Sequence, residues 1–169
     1  VIEHLRSPED FSQQLAEFCT SHGVRQVLVS TGNVAFVFQR LMLMLGQFNY
    51  GKAGILDRTH ARLFTFRSLK HLLNETGFQI REMRGVPGPF PKVFGNGVLG
   101  RAATTINRLL IRISRSFFSY QIFVIAEATP DVDFILAEDK QRHELRQRAA
   151  MDATDTAAPS DVAETAPHR

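Results

Sequence analysis

The sequence predicts an α/β fold in which helices flank a short sheet. Apolar residues recur at helical spacing over 8–22 and 66–76, whereas the short runs 26–31, 79–84 and 120–127 follow strand patterns. Helix and strand patterns alternate along the chain, as they do in α/β folds. With 44% hydrophobic residues in a length of 169, the chain can bury a core of its own.

The first helix has clear start and stop signals. Ser7 is a suitable N-cap, Pro8 fits the first helical position, and Gly23 can end the helix after His22. The strand that follows is expected over 24–31, where a buried run ends at Gly32. We expect the apolar face of the helix to consist of Phe11, Leu15 and Phe18.

A second helix and strand are predicted over 65–84. Thr65 can cap the helix, Gly77 can take the left-handed position after it, and Phe78 is expected to fold back onto Leu73. Apolar and charged residues then alternate over 79–84, which indicates a strand. The residues at helical spacing are Leu69, Leu72, Leu73 and Thr76.

The segment 34–48 is the most apolar part of the chain. Gln39 and Arg40 interrupt it, and it is shorter than the roughly 20 residues that span a bilayer. A core helix is the simpler interpretation. We favour a helix that covers the sheet edge, with Met42 and Met44 in an adaptable apolar pocket wall.

The segment 99–117 is predicted to be an amphipathic helix. Its apolar side is expected to carry Ala102, Ile106, Leu109, Leu110, Ile113 and Phe117, and the opposite side Arg101, Arg108, Arg112 and Arg115. The favoured interpretation is a solvated face on a helix packed against the sheet. The alternative is contact with an anionic membrane surface or with phosphate.

Composition divides the chain and limits its partners. We expect one domain over 1–130, a charged extension over 131–148 that can form a short helix, and a disordered tail over 149–169. Residues 1–148 carry 19 basic and 13 acidic side chains, a modest excess without interleaved aromatics, so nucleic acid is not an expected partner. The single cysteine, Cys19, excludes an internal disulfide, favours a buried thiol, and suits a reducing, cytoplasmic location.

The stretch 56–78 also carries a family pattern, formed by His60, Arg62, Phe64 and Thr65 followed by Ser68, Leu69, Leu72, Leu73, Gly77 and Phe78. This pattern resembles the late helix-strand unit of class I S-adenosylmethionine-dependent methyltransferases. The run 1–5 with Pro8 resembles the segment after the fourth strand of that fold, and 27–33 resembles its fifth strand and the following turn. The resemblance implies the C-terminal half of a Rossmann-like sheet, strands five to seven, with the last strand antiparallel.

The cofactor platform of that family is not recognisable in the sequence. The G-x-G-x-x-G spelling of Gly95, Gly97 and Gly100 follows a proline-rich stretch rather than an apolar strand, so it does not predict a dinucleotide site. The chain begins at Val1 rather than at an initiator methionine. We therefore expect a fragment that is inactive alone, with the edge of its first strand exposed.

The resemblance implies that Glu3 and His4 lie near the S-adenosylmethionine and the substrate, where strands end. His4 can also act as a base, and an ion pair of this segment with Arg6 is the structural alternative. These two residues alone do not define a metal site, since a third carboxylate would have to come from upstream. Asn33 is interpreted either as a turn residue that tolerates a left-handed backbone or as a polar group facing the substrate.

A dense polar cluster precedes the second helix and contains Asp57, Arg58, His60 and Arg62. Its loop position favours a substrate-binding role, although Asp57 with either arginine can also form an exposed ion pair. We expect His60 to be catalytic, as a general base or a substrate-orienting group.

The function implied by the resemblance is methyl transfer from S-adenosylmethionine to a small-molecule or glycan-linked nucleophile. Direct displacement asks the protein mainly for orientation and desolvation, so no catalytic triad or metal cluster is required. The alternative function is a non-catalytic binding module at a membrane periphery, built on segment 99–117.

Overall fold

A computed structural model describes residues 1–95 and 97–129, together with five separate positions between 136 and 146. Residues Val1–Thr129 form one compact unit. The predicted extension over 131–148 and tail over 149–169 fall outside the described residues, except for the five positions, which are helical and exposed. In chain order, the elements are a 3₁₀ turn Ile2–His4, α1 Pro8–Ser21, β1 Gln26–Gly32, α2 Val37–Met44, α3 Phe66–Glu75, β2 Phe78–Val86, α4 Phe90–Phe94, α5 Val98–Ile113, α6 Arg115–Phe118 and β3 Gln121–Ala128.

The three strands form one sheet in the order β1-β3-β2. The central strand β3 is antiparallel to both neighbours, with Val124 opposite Val29 on one side and Met83 on the other. The outer strands β1 and β2 therefore run parallel to each other. A register shift between Ile80 and Glu82 interrupts the second pairing. The predicted α/β class and the three strands are confirmed.

The core lies between one sheet face and the helices α1 and α3. In α1, Ser7 occupies the N-cap position before Pro8, but its hydroxyl donates to Asp10 and makes no capping bond to the backbone. Thr65 caps α3 by accepting a hydrogen bond from the backbone N–H of Ser68 at 3.1 Å. Gly77 has the predicted left-handed backbone, at φ 87°. The most buried core side chains are Leu69, Leu73, Phe78, Ile122, Val124 and Ala126.

The inward face of α1 differs from the prediction. Phe11 and Phe18 are 40% and 53% exposed, whereas Leu15 packs against the core as predicted, beside the buried small residues Ser12, Ala16 and Cys19. Small side chains allow close approach: a Cβ added to Gly77 would lie 3.4 Å from the Ala16 Cβ. The buried thiol of Cys19 is confirmed, and burial raises its pKa.

Strand β1 lies at the edge of the described sheet, as predicted. Leu28 on the face away from the core is 68% exposed. On that face a carboxylate joins all three strands, because Glu127 accepts hydrogen bonds from Gln26 at 2.9 Å and from Arg81 at 2.6 Å. Both bonds hold the pKa of Glu127 below its ordinary value, and the bond from Gln26 has the larger effect.

The helix α2 is a surface element, so the core-helix interpretation is wrong. None of its residues is buried, and Met44 is 82% exposed and does not line the pocket to which Met42 contributes. Among the described residues, no helix is long and apolar enough to cross a bilayer.

The helix α5 turns a different face inward from the one expected. Its buried residues are Gly100 and Asn107, whereas the predicted apolar side is largely exposed. Asn107 fixes this orientation: its Oδ1 accepts from the backbone N–H of Gly88 at 3.3 Å and its Nδ2 donates to the Phe118 carbonyl at 3.0 Å. Arg115 belongs to α6 instead, where it donates to the Met83 carbonyl at 2.8 Å.

Candidate functional site

The candidate site lies beside the carboxyl end of β1. The 3₁₀ turn Ile2–His4 packs along this strand, and the loop 51–64 approaches it from downstream. Asn33, directly after β1, forms a parallel bridge with Phe64 at the end of that loop. Two segments that are distant in sequence therefore meet where an α/β sheet commonly binds its ligands.

Asp57 shapes the loop. Its Oδ1 accepts hydrogen bonds from both the backbone N–H and the hydroxyl of Thr59, each at 2.8 Å, and its carbonyl accepts from the His60 N–H at 3.0 Å. These two hydrogen bonds from Thr59 lower the pKa of Asp57, the backbone bond more than the hydroxyl bond. The nearby His60 and His4 also lower it. Asp57 therefore organises the turn that presents His60.

His4 and His60 come together at this turn. Their ring centroids lie 4.9 Å apart in an edge-to-face arrangement. The Nδ1 atom of His4 lies 3.1 Å from the Thr59 carbonyl oxygen, and Nδ1 of His60 lies 2.9 Å from that of Ile55. Because a carbonyl oxygen only accepts, each Nδ1 carries a proton, and in the neutral form of the ring Nε2 has the lone pair that can bind a ligand or accept a proton.

Glu3 places a carboxylate beside the two rings. One ligand atom from each of Glu3, His4 and His60 lies within 4.8 Å of the others. Burial acts to raise the pKa of Glu3, but hydrogen bonds from the backbone, the amino terminus and Thr31 outweigh burial and lower the pKa. The half-buried carboxylate therefore lies close to two imidazole rings.

Arg62 links the loop 51–64 to the 3₁₀ turn Ile2–His4 and does not pair with Asp57. Its backbone N–H donates to the Glu3 carbonyl at 3.0 Å, and its guanidinium forms an ion pair with Glu9. Neither Arg58 nor Arg62 forms an ion pair with Asp57, so the ion-pair interpretation of Asp57 is wrong for the described residues. Arg58 is exposed on the same loop.

Asn33 is a structural residue: its Oδ1 and its carbonyl accept from the Ala35 and Phe36 N–H groups, which supports the turn interpretation, whereas its buried side chain does not face a substrate. Its side chain is fully buried, and Nδ2 donates to the Ser116 and Ser119 carbonyls at 2.9 and 2.8 Å. Its Oδ1 accepts from the Ala35 N–H at 3.1 Å. No described residue other than glycine has a positive φ, so the left-handed backbone expected at Asn33 is also absent there. A saturated, buried amide offers nothing to a substrate.

A pocket of about 380 Å³ with both apolar and polar lining residues adjoins the histidine loop at Ile55. Met42 contributes to it, as predicted, but the residues that sequence reasoning missed are polar. The Oε1 atom of Gln39 is buried without a hydrogen-bond partner, and burial raises the pKa of Tyr120. Other polar lining residues are Gln47 and Asn49. No pattern in the sequence identifies these amides, because the pocket combines α2, the loop and the start of β3.

The chain was also compared with known proteins. No protein-family model matches it. No curated protein matches it either.

Proposed function

We propose that this chain is part of an enzyme that transfers a methyl group from S-adenosylmethionine to a small-molecule or glycan-linked nucleophile. The observation that carries the proposal is the meeting of Glu3, His4 and His60 beside the carboxyl end of β1. The family resemblance independently assigns these three residues to the cofactor and substrate region. Two segments far apart in sequence thus supply one polar cluster.

The sheet supports the same proposal. Strands β1 and β2 run parallel, and the last strand is antiparallel to both, as the resemblance implies for strands five to seven. The exposed edge of β1 leaves its backbone groups available to further strands of a larger sheet. The fragment is proposed to be inactive alone, because the glycine-rich cofactor platform is not recognisable in it.

In the proposed reaction, a lone pair on the acceptor forms a bond to the methyl carbon while the carbon–sulfur bond breaks. The bonding electrons stay on sulfur, so the sulfonium leaves as a neutral thioether, and the acceptor proton passes to a base. His60 fits this role because its protonated Nδ1 binds the Ile55 carbonyl and leaves Nε2 to accept a proton. The bond also fixes the ring orientation, which limits the entropy cost of positioning.

The adjoining pocket supports a polar acceptor. Gln39, Gln47, Asn49 and Tyr120 line it, and amides and a phenol can hydrogen-bond hydroxyl groups. The unpartnered Oε1 of Gln39 gains a donor when a hydroxyl-bearing acceptor enters. Small molecules and glycan-linked groups share this chemistry.

The test uses the complete protein encoded by the reading frame that contains this chain. Isothermal titration should detect S-adenosylmethionine binding, and incubation with polar small-molecule and glycan extracts should form S-adenosylhomocysteine. His60→Ala should lower turnover about 100-fold or more, the usual size of a general-base effect, with little change in cofactor affinity. His22→Ala, at an exposed site on the end of α1, is the matched control.

Failure of the complete protein to bind S-adenosylmethionine would refute the proposal. Full turnover in His60→Ala would remove this histidine from the mechanism. Cofactor binding by the 169-residue chain alone would contradict the inactive-fragment part of the proposal.

A second candidate function is binding at an anionic membrane surface. At about 100° of rotation per residue, Ile106, Leu109 and Ile113 form one exposed stripe along α5. The neighbouring stripe carries the exposed residues Arg101, Arg108 and Arg112. An apolar stripe flanked by arginines suits an interface in which the apolar side chains enter the headgroup boundary and the cations meet phosphate. On α2, Phe38 lines a pocket together with Ile106 of this stripe.

Vesicle flotation at low salt tests this second function. The chain should float with vesicles that contain phosphatidylserine and remain behind with neutral phosphatidylcholine vesicles. Leu109→Asp should abolish flotation, whereas Phe11→Asp, an exposed apolar position on α1, should leave it unchanged. A chain that ignores anionic vesicles disproves the membrane function without affecting the methyltransferase proposal.

A further inference from the structure

We propose that Glu3, His4 and His60 bind a divalent first-row transition-metal ion. The sequence suggested a metal site only with an added upstream carboxylate, but the fold brings the third ligand from downstream. One donor atom from each side chain lies within 4.8 Å of the other two. Donors on a tetrahedral ion with bonds of about 2.1 Å lie roughly 3.4 Å apart. Side-chain rotations that shorten the distances between donor atoms by about 1.4 Å or less therefore bring all three donors within bonding distance of one ion.

The hydrogen bonds behind the histidines match those of metal ligands. A ligating histidine usually donates its second ring N–H to a carbonyl or carboxylate, which fixes the tautomer and the ring orientation. Here His4 uses Nδ1 on the Thr59 carbonyl at 3.1 Å, and His60 uses Nδ1 on the Ile55 carbonyl at 2.9 Å. Both backbone oxygens belong to the loop that Asp57 organises. The two Nε2 atoms are therefore positioned lone-pair donors before any ion arrives.

The cluster differs from a chance pairing of surface charges. His71 and Glu75 illustrate such a pairing: they are one helical turn apart on α3, lie 3.2 Å from each other, and are 72% and 63% exposed. Glu3 and His60, in contrast, are both half-buried, and they come from remote segments. The groups that compete for the Glu3 carboxylate are the amino group of Val1, at 3.1 Å from one oxygen, and the hydrogen bond from Thr31, so a bound ion has to displace or share them.

The donor set selects the class of ion. Two imidazoles and one carboxylate are the ligands of catalytic zinc sites and of open non-haem iron sites, whereas Mg²⁺ and Ca²⁺ prefer oxygen ligands throughout. Three protein ligands also leave coordination positions for water or a substrate oxygen. We therefore expect Zn²⁺ and its neighbours to bind, and Mg²⁺ to bind far more weakly.

If the proposed methyl transfer takes place here, the ion would hold and acidify an acceptor hydroxyl, and His60 would act as a ligand rather than as the base. That role rests on the proposed function. Metal binding itself does not, because it is measured on the 169-residue chain without S-adenosylmethionine.

Isothermal titration of the chain with Zn²⁺ at pH 7 is the test. We expect one saturable site per chain, with affinity reduced at least about tenfold in His60→Ala, in His4→Ala and in Glu3→Gln. His71→Ala is the matched control and should keep the wild-type affinity, because it removes the other histidine–carboxylate pair. His4 is exposed, so His4→Ala tests the site even if His60→Ala disturbs the loop.

Co²⁺ provides a spectroscopic readout that a purely structural role cannot produce. The wild-type chain and His71→Ala should develop visible absorption bands on Co²⁺ addition, and excess Zn²⁺ should remove them. His60→Ala and His4→Ala should lack these bands while retaining wild-type circular dichroism. Absence of saturable Zn²⁺ binding, or equal binding by wild type, His4→Ala and His60→Ala, would overturn the proposal.

Discussion

The buried amide of Asn33 is expected to be one of the most sensitive positions in the fold. Its Nδ2 donates at 2.9 and 2.8 Å to two carbonyls of the α6 region, and its Oδ1 accepts at 3.1 Å from the Ala35 N–H. Asn33→Ala removes these three bonds and leaves their partners buried. Each buried polar group left without a partner costs roughly 1–3 kcal/mol, and the carbonyls keep some freedom to rearrange, so we expect a loss of about 3 kcal/mol.

Urea denaturation followed by circular dichroism measures this loss. With a typical slope of about 2 kcal/mol per molar urea, 3 kcal/mol moves the midpoint down by about 1.5 M. Asn74→Ala, at an exposed asparagine on α3, is the matched control and should change the free energy of unfolding by less than about 0.5 kcal/mol. A stability of Asn33→Ala equal to that of this control would refute the structural role of the amide.

Asn33→Asp sharpens the same prediction. Aspartate keeps the outline of asparagine but turns an oxygen toward the Ser116 and Ser119 carbonyls, where Nδ2 donates in the wild type. At neutral pH the repulsion should make this variant at least as unstable as Asn33→Ala. Protonation restores one donor, so the deficit should shrink as the pH falls below 5. A deficit that does not depend on pH would contradict this reasoning.

Two further predictions concern the core and the sheet. Leu69→Ala should lower the free energy of unfolding by about 2–5 kcal/mol because Leu69 is fully buried, whereas Leu43→Ala, at a residue 59% exposed on α2, should be nearly neutral; equal losses in urea titrations would contradict the assigned core. Glu127 has a lowered pKa, first through Gln26 and then through Arg81, so its stabilisation is present above the ordinary carboxyl pKa and is lost as the pH falls through the folded-state pKa. Glu127→Gln should therefore flatten the decline in stability between pH 6 and pH 3, and an unchanged pH profile would show that this carboxylate does not contribute.

The helix ends and strands could be predicted because their signals are local. Pro8 at the start of α1, Thr65 at the cap of α3 and the left-handed Gly77 each act through neighbouring backbone groups. The inward faces of α1 and α5 could not be predicted from hydrophobicity. There, Ala16 and Asn107 determine the packing through size and hydrogen bonding with partners that the sequence does not identify.

The site shows the same division between local and tertiary information. Sequence patterns selected Glu3, His4 and His60 as separate candidate site residues, but they did not predict that the three side chains meet, and they gave no third metal ligand. The meeting of the three side chains could not be predicted because backbone groups orient the two imidazoles. The carbonyls of Thr59 and Ile55 accept from the rings, and a residue of any type supplies such an oxygen, so the sequence carries no signal for it.

Substitutions that alter the backbone of the loop 51–64 should therefore impair metal binding as strongly as loss of a ligand. Asp57→Ala, which removes the acceptor for Thr59, should weaken Zn²⁺ binding about 10–100-fold without touching a donor atom. Wild-type Zn²⁺ affinity in Asp57→Ala, measured by the same titration, would mean that the histidines hold their geometry without the loop.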